Sequence, residues 1–387
     1  MSTDPSAVPL RAVLVLGTRP EAIKLAPVAR EMTAGTQFLP IVVTTGQHRE
    51  MLHQMLGMLG LDSRVALDVM RSRQRLSDLT ARLVRELGRA LREQRPDLVL
   101  VQGDTTTALA GALAAFYEKI PVAHVEAGLR TGVIDNPFPE ELNRSLIGRI
   151  ARWHFAPTAA AARHLTDEGV PAERVFITGN TVIDNLLWVL AEGTGVSAFR
   201  TGARRILVTL HRRENQGERM RDMGRALTRL AGRGDVEIVL PLHKSPAVRD
   251  ALLPVLAGRP GIALIEPLAY LDFAATLADC DLVLTDSGGI QEEAPSLHKP
   301  TLVLRTTTER PEAVAAGAAR LIGTSPESLV TWAERLLDDP AEYNRMAHAV
   351  NPFGDGKAAV RILGRLAEDL AAAVPVGRTT PKPYSTA

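Results

Sequence analysis

The stretch DLVLTDSGGIQEEAP, residues 281–295, sets the reading of the whole chain. Its first half is an apolar run that enters Ser287, Gly288 and Gly289, where a helix is expected to begin. A helix start made of small residues exposes backbone N–H groups, and the helix dipole favours an anion there. A strand that is apolar throughout and passes straight into a helix is the unit of a parallel sheet covered on both faces. Glu292 and Glu293 follow within the first turns, so carboxylates stand beside a predicted phosphate site and need a reason.

The same alternation runs outward in both directions. Strands are predicted at 12–17, 40–44, 97–103, 121–126, 174–179, 205–210, 236–241, 262–266, 281–286 and 301–305. Amphipathic helices lie between them; Leu76, Leu79, Leu83, Leu87 and Leu91 keep the three-or-four spacing of one buried face. The alternation breaks at AEGTGVSAFRTGARR, which begins at residue 191 and is rich in Gly, Ser and Thr. On either side of it an echo appears. PDLVLVQGDTTTALAGALAA and CDLVLTDSGGIQEEAPSL each place Asp before a strand, then a polar turn with Gly, then a helix. The expected fold is α/β: two doubly wound, Rossmann-like domains facing a cleft. The first covers 1–190, a linker covers 191–204, the second covers 205–365, and 366–387 returns to pack on the first.

Composition removes several classes of function. With 387 residues the chain is long enough for two domains, and a formal net charge of +1 gives no general attraction to nucleic acid or an anionic membrane. Aromatics at 4% do not make a base-stacking surface. The single cysteine, Cys280, excludes an internal disulfide and reads as a small buried residue, which fits a reducing cytoplasm. The N-terminus lacks a basic region followed by an apolar one, so no signal peptide is expected, and the apolar runs are too short to span a bilayer. A G-x-x-x-x-G-K-[ST] loop, H-E-x-x-H, a Cys/His cluster and G-x-S-x-G are all missing. GDGKAA at 354–359 fits a dinucleotide pattern formally, but it follows NPF and not a strand.

Polar residues gather where the strands end. They are Arg19 and Lys24 in GTRPEAIK, Asp104 in GDTT, Glu126 and Arg130 in HVEAGLRTG, and Glu140 and Arg144 in FPEELNR. LHRREN supplies His211, Arg212 and Arg213, and TTTERPEA supplies Glu309 and Arg310. Ligands of open parallel sheets bind beyond the carboxyl ends of the strands.

GTRPEAIKLAPV, QHREML, GDTTTALAGALAAFY, HVEAGLRTG, PFPEELNR, ITGNTVID, HRREN, TDSGGIQEEAPSL, TTERPEAV and NPFGDG occur in this order. In this the chain resembles the non-hydrolysing UDP-N-acetylglucosamine 2-epimerases along nearly its whole length. The resemblance implies a glycosyltransferase-B type fold, with a last helix at about 356–373 crossing back to the first domain. It implies interconversion of UDP-GlcNAc and UDP-ManNAc through 2-acetamidoglucal, with no metal or nicotinamide cofactor. It also implies a cytoplasmic homodimer whose partners are UDP-GlcNAc and UDP, not nucleic acid or membrane.

Site residues are implied in the same way. Ser287, Gly288 and Gly289 take the phosphates, and Glu293 takes the ribose hydroxyls, since a carboxylate accepts two such bonds well. Of the two carboxylates beside the phosphate loop, Glu293 thus reads the sugar, and Glu292 is expected to face solvent or cap. Arg310 and Phe273 are further nucleotide contacts. Asp104, Glu126 and Glu140 match the family's acid–base carboxylates, and Arg19, Lys24, Arg144 and His211 the donors around diphosphate and sugar. Gln47, His48, Arg73, Gln74, Arg212 and His243 match positions that bind a second UDP-GlcNAc as activator in some members. Glu50, TLHRREN and Leu268 depart from the commoner pattern, which bears on activation and on the uracil contact. A hydrolysing epimerase, a glycosyltransferase on the same fold and a non-catalytic sensor are the alternatives.

Overall fold

A computed structural model describes residues 8–46, 55–71, 74–200 and 202–373. Among the described residues the thirteen strands are β1 Leu10–Leu16, β2 Phe38–Thr44, β3 Val65–Ala66, β4 Leu98–Gln102, β5 Val122–Val125, β6 Trp153–Ala156, β7 Val175–Ile177, β8 Arg204–Thr209, β9 Val236–Pro241, β10 Ile262–Ile265, β11 Leu282–Thr285, β12 Thr301–Val303 and β13 Ala319–Leu321. They form two parallel sheets, ordered β3-β2-β1-β4-β5-β6-β7 and β10-β9-β8-β11-β12-β13. Both run outward from a first strand in one direction and then the other, the doubly wound order of Rossmann-like domains.

The echo between the halves has a topological meaning. PDLVLVQGDTTT contains β4 and CDLVLTDSGG contains β11, and each pairs in parallel with the strand that opens its own sheet, β1 and β8 respectively. Similar sequences therefore occupy equivalent positions. Three strands, β3, β6 and β13, were not expected; the longest of them, Trp153–Ala156, has four residues and no β-branched side chain. Too little pattern exists in such a run for alternation to register.

By packing, the chain divides into two compact units. Among the described residues, one takes in those up to Val125, Asn143–Phe155 and those from Lys357 onward; the other takes in Glu126–Leu142 and those of Ala156–Gly356. In the first, Val13, Val15, Val99 and Val101 of the central strands pack with Leu83, Leu87 and Leu91 of the helix Leu76–Gln94. Those are three members of the leucine spacing; Leu76, at the helix start, is 39% exposed. The helix Ala358–Ala373 packs on the helix Arg19–Ala34 within this unit. In the second, Ile206, Val208, Leu282 and Leu284 anchor a core with Leu227 and Leu230 of the helix Glu218–Ala231. Cys280 is fully buried, and burial pushes its thiol up to about 12. No described helix is long and apolar enough to cross a membrane.

Candidate active site

Each sheet has one point where the winding reverses, between β1 and β4 and between β8 and β11. The loops that leave these four strands carry GTRP, GDTT, LHRREN and DSGG.

In the second unit the loop after β8 is tied to the end of β11 through Asp286, whose side chain is fully buried. Its Oδ1 and Oδ2 accept the His211 N–H at 3.0 and 3.1 Å, and Oδ2 also accepts the Arg212 N–H at 3.0 Å and Asn215 Nδ2 at 3.1 Å. His211 Nδ1 lies 3.3 Å from Asp286 Oδ1. Burial lowers the His211 pKa; Asp286 opposes this, while Arg212, His243 and Arg305 add to it. The His243 ring stacks on His211 at 5.6 Å between centroids and 25° between planes.

Ser287 precedes the short helix Gly288–Glu293 and makes no side-chain cap bond. Its N–H donates to Thr285 Oγ1 at 2.9 Å, so the hydroxyl is what Ser287 can offer a ligand. A Cβ at Gly288 would come within 3.4 Å of Arg212 Nη2 and 3.5 Å of Glu309 Oε2, whereas one at Gly289 would meet nothing within 4 Å. Arg212 Nη2 pairs with Glu309 Oε2 at 3.0 Å. Burial would raise the Glu309 pKa, but Arg212, Arg305 and Arg310 together hold it below the ordinary value.

A second group in this unit is centred on Asn180, the cap of the helix Thr181–Glu192. Its Oδ1 accepts the Val182 N–H at 3.1 Å, which turns Nδ2 toward two carboxylates, Glu126 Oε1 at 2.9 Å and Glu292 Oε2 at 2.8 Å. Glu292 Oε1 accepts Arg310 Nε. Glu292 is 1% exposed, so the expectation of a solvent or capping residue was wrong. Sequence spacing puts it one residue from Glu293, but the helix turns it inward onto an arginine that a lone buried carboxylate requires. Burial acts against the charge of Arg310, yet Glu292 and Glu126 outweigh it and hold the guanidinium above its ordinary pKa. Arg310 also donates from Nη1 to the Glu309 carbonyl at 3.0 Å. Glu293, at the end of the short helix, is 8% exposed.

Glu126 itself has φ 63 and is buried. A glutamate in the left-handed region costs on the order of 1–3 kcal/mol and marks a position held by its surroundings. The next turn is equally constrained: Gly128 has φ 90, and a Cβ there would collide with the Ala161 carbonyl. Arg130 pairs with Glu168 through two bonds of 2.7 and 2.8 Å, so it braces this loop. Glu141 accepts the Thr131 N–H at 3.0 Å and the Gly132 N–H at 3.0 Å, and its neighbour Glu140 opens the helix Glu140–Ile150. Phe273 is half-buried and packs with Leu277, Val283 and Ile290.

In the first unit, Arg144 Nη2 pairs with Asp104 Oδ2 at 2.8 Å, and Asn143 Nδ2 donates to the Asp104 carbonyl at 2.8 Å. The loop after β1 is organised by Glu21, a buried carboxylate. Its Oε2 accepts from the Gly17 and Thr18 N–H groups at 2.9 and 2.6 Å and from Thr18 Oγ1 at 2.8 Å. Its Oε1 accepts from Thr105 Oγ1 at 2.6 Å, beside Asp104. Arg19 is exposed at the helix start and Lys24 is half-buried one turn on. Gln74 serves its own turn, accepting from Arg71 N–H at 3.1 Å and from Arg82. Gln47, His48 and Arg73 lie outside the described residues.

The structure therefore links Glu126 to Arg310 through Asn180 and Glu292, ties His211 and Arg212 to Asp286 at the start of the glycine loop and stacks His243 on His211, all within one unit; it joins Asp104 to Arg144 within the other. Asp286, Asn180 and Glu21 were not singled out from sequence. A signal existed for one: Thr18-x-x-Glu21 is a capping box, and both of its bonds are present. For Asp286 and Asn180 no local pattern announces the partner.

A family model described as UDP-N-acetylglucosamine 2-epimerase matches residues 30–367. The UDP-N-acetylglucosamine 2-epimerase of Bacillus subtilis is 47% identical over 360 residues, covering 92% of this chain and 95% of that one. The UDP-GlcNAc 2-epimerase of Neisseria meningitidis, solved with UDP-GlcNAc bound, has 42% identity and a TM-score of 0.85, covering 93% and 100% of the two chains. The Methanocaldococcus jannaschii UDP-GlcNAc 2-epimerase, solved with UDP-GlcNAc and UDP, has 34% identity and a TM-score of 0.74, covering 93% and 100%. With a match of this extent in family model, sequence and fold alike, the chain belongs to the UDP-N-acetylglucosamine 2-epimerase family.

Proposed function

We propose that the protein interconverts UDP-GlcNAc and UDP-ManNAc without hydrolysis, by eliminating UDP to 2-acetamidoglucal and adding it back. A base removes the C2 proton while the C1–O bond breaks and UDP leaves with the electron pair. An acid then returns a proton to the opposite face of C2 as UDP adds to C1. The observation that carries this reading is Glu126: a buried carboxylate in a left-handed conformation, linked through Asn180 and Glu292 to Arg310. It supplies an acid–base group beside a cation suited to a leaving diphosphate. Asp104 and Glu140 are the other acid–base candidates. Ser287, Gly288 and Gly289 take the diphosphate, Glu293 the ribose, and Arg310 and Phe273 further parts of the nucleotide. Arg19, Lys24, Arg144 and His211 act on the diphosphate and sugar. Gln47, His48, Arg73, Gln74, Arg212 and His243 are assigned to a second, activating UDP-GlcNAc. The protein works in the cytoplasm as a homodimer, the latter checked by light scattering.

The test is incubation with UDP-GlcNAc alone in D₂O, followed by NMR. Deuterium should enter C2 as the two epimers equilibrate, with traces of free 2-acetamidoglucal at long times. Release of free ManNAc with UDP would identify a hydrolysing enzyme. No turnover without an added acceptor would identify a glycosyltransferase. Epimerisation with no deuterium at C2 would exclude solvent-exchanging proton transfer.

A further inference from the structure

We propose that Asp286 is a positioning residue for His211: it receives the ring's Nδ1–H and so leaves Nε2 as the working nitrogen. The proposal rests on the assignment of His211 to the epimerase site. A buried acceptor lies beside one edge of the ring. Asp286 is fully buried, and its carboxylate collects the His211 and Arg212 main-chain N–H groups and the Asn215 amide. His211 Nδ1 stands 3.3 Å from Oδ1 of the same group. A carboxylate that accepts from every other neighbour has no proton to give to the ring, so the proton of a neutral imidazole belongs on Nδ1. The His211 side chain keeps 36% of its surface, so the ring is reachable from outside while its Nδ1 edge meets a side chain with 0% exposure.

Burial, Arg212, His243 and Arg305 disfavour a charged ring and outweigh Asp286, so the His211 pKa is lowered and the neutral ring is favoured relative to a free imidazole. A neutral ring held this way offers an Nε2 lone pair to a substrate hydroxyl or proton, and Asp286 balances the charge when a proton arrives. The support is economical, because Asp286 immediately precedes Ser287 in sequence. One carboxylate at the end of β11 thereby fixes both the start of the glycine loop and the tautomer of the histidine on the loop after β8.

The test uses full-length protein labelled with [¹⁵N]histidine. Long-range ¹H–¹⁵N correlation near neutral pH reads the tautomer, with His211 identified by the signals lost in His211→Asn. Nδ1 should be protonated and Nε2 unprotonated. An Nε2-protonated ring, a rapidly averaged mixture or an imidazolium overturns the proposal. Kinetically, Asp286→Asn should lower kcat by about 10²-fold or more, the scale of losing an oriented acid–base group. Made in the His211→Asn background, the same change should cost less than about threefold, since residues acting as one unit are not additive. Equal costs in both backgrounds would make Asp286 a purely structural residue and overturn the proposal. Should Asp286→Asn fail to fold, the wild-type spectrum decides alone. A protein with the expected tautomer but no epimerase activity supports the arrangement and refutes the functional reading. An active epimerase with the other tautomer refutes this inference alone.

Discussion

Glu21 gives the sharpest measure of how the loop after β1 is held. Replacing it with alanine removes an acceptor that serves Gly17 N–H, Thr18 N–H, Thr18 Oγ1 and Thr105 Oγ1 at once. Gly17 N–H is buried, and an orphaned buried donor costs about 1–3 kcal/mol. Thr18 is half-exposed, so water can replace part of its bonding, and the loss there is that of half a capping box, about 0.5–1 kcal/mol. The Thr105 hydroxyl loses its carboxyl acceptor but still accepts the Ala108 N–H, adding about 0.5 kcal/mol. Glu21→Ala should therefore destabilise the first unit by about 2–4.5 kcal/mol. Glu21→Gln keeps an oxygen for the two N–H groups and an NH₂ that can donate to Thr105, so it should cost about 1 kcal/mol. Burial raises the Glu21 pKa above the unfolded value, with its hydrogen bonds only partly offsetting this. The folded state then holds the proton more tightly, so stability falls as pH rises from the unfolded pKa through the folded one. Glutamine removes that slope. Hydrogen exchange of the β1 amides, whose residues 12–16 are fully buried, reports the stability of this unit without assuming that the whole chain unfolds in one step. An alanine variant within about 0.5 kcal/mol of wild type, or a glutamine variant as costly as alanine, would refute the reasoning.

Three further outcomes are expected. Glu293→Ala should weaken UDP binding by about 1.5–3 kcal/mol in a protein that still folds, and unchanged affinity by calorimetry would remove the ribose assignment. Asp104→Asn and Glu126→Gln should each keep UDP affinity and lose turnover by roughly 10²-fold or more; near wild-type rates would make both carboxylates structural. Cys280, buried and with its thiol pushed up to about 12, should resist alkylation near pH 8 in the folded protein and react once it is unfolded in urea. Prompt reaction in the native state would contradict that burial.

The fold was legible because it is written in local pattern. Apolar runs such as residues 12–16 and 282–285 are buried on both faces, and a parallel sheet covered by helices leaves that mark on each strand separately. The echo of β4 in β11 was legible for the same reason: equivalent places in two sheets of the same order select the same sequence of Asp, strand, turn and helix. The strand Trp153–Ala156 was not legible, since it is defined by its pairing with Val122–Val125 and not by its own residues.

The site was legible in type and not in wiring. Loops at the ends of parallel strands announced polar groups, but a carboxylate in sequence carries no indication of which donor it will meet. Glu292 and Glu293 are adjacent and chemically identical, yet Glu292 closes an ion pair with Arg310 eighteen residues on. Asp286 looked like the end of a strand, and its role appears only with the His211 and Arg212 N–H groups, which come from a loop more than seventy residues earlier. In each case the chain spends a buried charge to fix a loop that has no regular structure to hold it. Low-dielectric surroundings make such a charge costly unless it is fully bonded, and that demand gives the loop one conformation. Opposite the winding reversal of each sheet, where side chains must stay in place without the support of a helix or strand, a buried carboxylate does this work: Glu21 beside β1 and β4, Asp286 beside β8 and β11.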